Sequence, residues 1–64
     1  MNVETLTGYL HEAERHHAQH HARVPKHHWS QWYAAYVDAR WRGMTEAESC
    51  DHAGRYIEQH IRWY

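Results

Sequence analysis

The sequence predicts a small all-α domain of three helices completed by oligomerisation, and three observations carry that expectation. Apolar residues recur at steps of three and four, the single proline and Gly43 stand between the periodic stretches, and a capping box precedes the last one. Sixty-four residues and 7.8 kDa allow one domain, 1–64. A chain of this size buries only about 60% of its unfolded surface, which argues against an autonomous multi-step enzyme.

The first helix is expected over about residues 5–22, capped by Thr5 or Thr7. Its apolar positions Leu6, Leu10 and Ala13 continue into His17 and His20 at steps of four, three, four and three. Val24 precedes Pro25, which disfavours helix at the residue before it, so 23–28 reads as a connection between roughly antiparallel neighbours.

The second helix is expected over about 29–42 and ends at Gly43, where a left-handed cap costs glycine least. Trp29, Trp32, Tyr33 and Tyr36 crowd one face, with Val37 and Trp41 extending it sideways and Ala34, Ala35 and Asp38 opposite. Thr45 and Glu48 form the capping box of a third helix over about 46–62, and Glu46 suits its first turn. Ala47, Cys50, Ala53, Gly54, Ile57 and Ile61 form its expected inner stripe, small where the rings of the second helix need room.

Composition narrows the function. Seven Lys and Arg against eight Asp and Glu leave a formal charge of −1, with no counterion-release drive towards nucleic acid. Protonating all nine histidines would carry the charge to +8, so the chain is a pH-sensitive polyelectrolyte. A mean hydropathy of −1.07 and the lack of a long apolar run or signal-peptide core predict a soluble, cytoplasmic protein that does not enter membranes. Arg40, Arg42 and Arg55 flank a helix-turn-helix-like segment, but Glu46, Glu48, Asp51 and Glu58 oppose a DNA-reading face.

The histidines are the most unusual feature. His16 with His20 and His17 with His21 are i,i+4 pairs, and such spacing brings imidazoles within reach of one ion. His17 and His20 are expected to face the core and to hydrogen-bond the polar tips of Trp29, Trp32, Tyr33 or Tyr36. The alternative is a transition-metal site for Zn, Ni, Cu or Fe. His17 and His20 would be its centre, with His16, His21, His27, His28 or Glu14 completing the shell, and Glu14-x-x-His17 has the spacing used in metal-binding bundles. His11, His52 and His60 read as surface residues. A b-type haem on His17 or His20 is a remoter option, since aromatic stripes at helical spacing usually form cores.

Cys50 is the only thiol and reads as an inert packed residue, and Ser30 and Ser49 have no oriented base in the sequence. With seven Leu, Ile and Val but nine Trp and Tyr, the rings cannot all be interior. Trp41, Trp63, Tyr56, Tyr64 and Tyr9 do not all fit inside so small a bundle, and Trp41, Trp63, Tyr64 and Tyr56 are the candidates for an interface with another copy or another protein. An aromatic pocket for a small planar ligand is the third reading.

The stretch Pro25-Lys-His-His-Trp-Ser-Gln-Trp-Tyr-Ala-Ala-Tyr36 resembles short bacterial helical segments, stand-alone or beside vicinal-oxygen-chelate domains of the bleomycin-resistance-like kind. Those segments share Trp-x-x-Trp-Tyr-Ala-x-Tyr, matched by Trp29, Trp32, Tyr33, Ala34 and Tyr36. The resemblance extends to Ala13–His17 and Arg42–Ala47, about two-thirds of the chain. Ala18 replaces a usual glycine, and His20 and His21 replace a usual Tyr-Glu pair. The resemblance implies a helical module and no particular reaction.

Overall fold

A computed structural model describes residues 2–20 and 28–60, with the backbone alone for His20. Three helices follow in order: α1 (Val3–His20), α2 (Trp29–Trp41) and α3 (Glu46–His60), and no strand occurs among the described residues. The all-α expectation holds. The expected ends of the first and third helices, at about 22 and 62, lie outside the described residues, as does Ile61.

Each helix is bounded by chemistry that its own residues supply. Asn2, rather than Thr5 or Thr7, caps α1, its Oδ1 accepting from the Thr5 amide at 2.7 Å. His28 caps α2: its Nδ1 accepts from the Ser30 amide at 3.2 Å, while Gln31 Oε1 accepts from the His28 amide at 2.9 Å. This is a capping box with imidazole in place of a hydroxyl. At the other end of α2 the Met44 amide donates to the Ala39 carbonyl and the Gly43 amide to that of Arg40, and Gly43 takes φ +95°. Those paired bonds are a Schellman motif, the reason glycine stands there. For α3, Thr45 Oγ1 accepts from the Glu48 amide at 3.1 Å and Glu48 Oε1 from the Thr45 amide at 2.9 Å, as the sequence predicts.

The central helix α2 packs against both neighbours, while α1 and α3 meet only briefly. Being covered on two sides, α2 buries Trp32, Ala35, Tyr36, Val37 and Ala39. The expectation that Ala35 faces away from the core is therefore corrected, because α3 closes over it. The core is Ala13, Trp32, Ala35, Tyr36, Ala53 and Ile57, with Tyr33 and Cys50 against its edge. Trp32 and Tyr36 stack at 5.5 Å, and the alanines leave room for these rings. On α3 the buried stripe is Ser49, Ala53 and Ile57; Ala47 is exposed, and His52 is half-buried rather than a surface residue.

The largest departure is the rotation of α1. Its inward residues are Thr5, Tyr9, Glu12, Ala13, His16 and His17, so its core-facing axis lies roughly 60° from the predicted line through Leu6 and Ala13. Leu6 and Leu10 are each left 38% exposed. Trp29, expected inside, is also outside at 55%, because it sits in the first turn of α2 beyond the end of the core.

Candidate functional site

Of the histidines proposed to share one ion, His16, His17 and His28 have described side chains, and each meets a different neighbour. His16 Nε2 donates to Glu46 Oε1 at 2.9 Å, linking α1 to the first turn of α3. Its ring also lies 5.8 Å from that of Tyr36. His17 is only half-buried and packs by its ring, 5.5 Å from both Trp32 and Tyr33. His28 is held in the α2 cap, and Glu14 is exposed. No group of three or more His, Cys, Asp or Glu able to hold a metal occurs among the described residues. His21 and His27 lie outside them, as does the side chain of His20.

Rotation of α1 places a polar cluster where the sequence reading expected aliphatic packing. Glu12 Oε1 accepts from the buried Tyr36 hydroxyl and from Arg40 Nε, both at 2.9 Å. Arg40 Nη1 donates to the Met44 carbonyl at 2.7 Å, and its guanidinium sits 5.1 Å above the Tyr9 ring. One arginine thus joins α1, α2 and the turn before α3. Burial, followed by the hydrogen bond to Glu12, pushes the Tyr36 phenol far above its usual value. Arg15 adds a second contact to Glu46 at 3.1 Å. The His16 hydrogen bond, more than any other cause, holds the Glu46 carboxyl below its usual range.

These groups satisfy one another and orient helices. Tyr9, Glu12 and His16 follow at steps of three and four on one border of α1, and Tyr36 and Arg40 are four apart on α2. That periodicity was the available signal, masked by the stronger aliphatic repeat of Leu6, Leu10 and Ala13. Burial, with help from the Glu46 charge, pushes the Cys50 thiol up and disfavours its nucleophilic thiolate.

The opposite flank of α1 is apolar and open. Leu6 and Leu10 line a groove of about 470 Å³ against Trp29, Tyr33, Ala34 and Val37 of α2. A second groove, about 490 Å³, runs along the other side of α2 beside Ala35, His52 and Tyr56. Ser30, Ala34 and Asp38 border both, so the outer face of α2 is a ridge between two grooves. At the end of that ridge Trp41 is 54% exposed. Of the predicted interface residues, Trp41 and Tyr56 are thus outside, Tyr56 stacking on His60 at 4.5 Å, while Trp63 and Tyr64 lie outside the described residues.

Comparison with known families, characterised proteins and solved structures finds no match to this chain. No helix among the described residues is long and apolar enough to cross a membrane.

Proposed function

We propose that this chain is a non-catalytic helical assembly module of the cytoplasm, which associates with a second copy of itself through its outward apolar surface. The observation that carries this reading is the exposure of Leu6, Leu10, Trp29 and Trp41. A chain holding only seven Leu, Ile and Val leaves two leucines on one open flank beside the exposed Trp29, with Trp41 exposed farther along α2. Contiguous apolar surface on a small protein marks an interaction site, and large aromatic side chains supply much of the energy of such contacts. A core containing three alanines gives limited stability alone, and burial against a second copy adds to it.

The polar cluster supports the reading by fixing α1 and α2 before any partner arrives. A preset surface loses less conformational entropy on association. Sedimentation equilibrium over a wide concentration range tests the proposal. A species of twice 7.8 kDa is expected; a chain that stays at 7.8 kDa and unfolds cooperatively overturns it.

A further inference from the structure

We infer that the second copy docks with its α2 antiparallel to the first, so that Trp41 of each copy enters the Leu6/Leu10 groove of the other. This rests on the self-association reading and specifies its face and direction. Ser30, Ala34, Val37 and Trp41 are spaced four, three and four apart and fall within a sector of roughly 60° on α2. The first three border or floor the groove, and Trp41 projects beyond its end. Knob and hole therefore occupy one face, with Trp41 about 10 Å along the helix from Ala34. A two-fold axis between them seats each Trp41 beside the small Ser30 and Ala34 of the other copy. That is the self-complementary condition of an isologous interface.

A parallel pairing fails the same size test, because Trp41 would meet Trp41 while Ser30 met Ser30, leaving both grooves empty. Opposed α2 dipoles also favour the antiparallel direction. Asp38 borders the ridge but already pairs with Arg42 at 3.2 Å, so its charge arrives compensated. An interface of about 800 Å² per partner would cover about one sixth of the 4669 Å² surface.

Ala34 and Trp41 are both exposed, so each can be replaced without opening the core. Ala34→Arg and Trp41→Ala, with helicity checked by circular dichroism, should each weaken self-association at least about 30-fold by sedimentation, the size of an interface hot spot. Ala47→Arg, exposed on α3, should change it less than about twofold. Direction is read by oxidising a Ser30→Cys variant in a Cys50→Ala background. Antiparallel copies keep the two new thiols apart, whereas parallel copies bring them together, so rapid disulfide cross-linking overturns the arrangement. A wild-type chain that remains monomeric fails the self-association reading itself. A dimer indifferent to Ala34→Arg and Trp41→Ala leaves that reading standing and overturns this face.

Discussion

On one flank of α1, Glu12 and His16 are tied to Tyr36, Arg40 and Glu46 by hydrogen bonds of 2.9 Å; on the other, Leu6 and Leu10 face an open groove. The polar flank is closed within the chain and the apolar one is not. Hydrophobic burial has no preferred direction, whereas a carboxylate accepting from a phenol and a guanidinium fixes both distance and angle. Without Glu12 the Tyr36 hydroxyl and Arg40 Nε would lose their acceptor, a loss that partial exposure of two leucines does not match. The helix therefore turns towards its polar partners, and its leucines become surface.

That ranking inverts the usual order of substitution effects, and the inversion is the sharpest way to break the comparison. Glu12→Ala should destabilise the fold by about 3 kcal/mol, since it leaves the Tyr36 hydroxyl and Arg40 Nε without their acceptor and removes the carboxylate that pairs with the guanidinium. Leu10→Ala should cost the single chain only about 1 kcal/mol, because much of its surface is wet already. Urea unfolding at a concentration too low for association checks both. A larger loss for Leu10→Ala would mean that α1 is held by its aliphatic flank.

The caps give a smaller contrast. Thr45→Ala removes a capping box at the start of α3 and His28→Ala one at the start of α2, each expected to cost about 1 kcal/mol. Thermal melts of the two variants compare the imidazole cap with the hydroxyl one; a silent His28→Ala would reduce that ring to a spectator.

Titration separates the two ends of the polar flank. The Glu46 carboxyl lies lower in the fold than in the unfolded chain, so its contribution is complete above the unfolded value near 4.5 and fades as pH falls below it. Tyr36 behaves in the opposite sense. Its phenol is raised, so its contribution is complete below about pH 10 and is lost as the unfolded chain begins to release that proton. Ultraviolet titration should show Tyr36 keeping its proton until the chain unfolds in alkali. A Tyr36 phenol that ionises while the chain is still folded would contradict its burial and the Glu12 contact.

Residues whose message is local were legible in the sequence. Gly43 and the Thr45/Glu48 pair mark their helix ends through contacts within six residues, and the ring-built core follows from the spacing of Trp32 and Tyr36. The rotation of α1 was not legible, because it depends on contacts 24 to 30 positions apart in the chain, between Glu12 and Tyr36 or Arg40 and between His16 and Glu46. Periodicity ranks residues by hydropathy and cannot weigh a carboxylate with two donors against two leucines. The partners of the described histidines were not legible for a related reason. Helical spacing brings imidazoles near one another, but His16 has a carboxylate on another helix, His17 packs on rings, and His28 belongs to a helix start.

The central claim is that the open apolar flank is completed by another copy of the chain, and the most direct test is the melting temperature as a function of chain concentration. If folding is coupled to pairing, Tm rises by several degrees over a hundredfold increase in concentration, and Ala34→Arg removes that dependence. A wild-type Tm that does not move with concentration would contradict the claim.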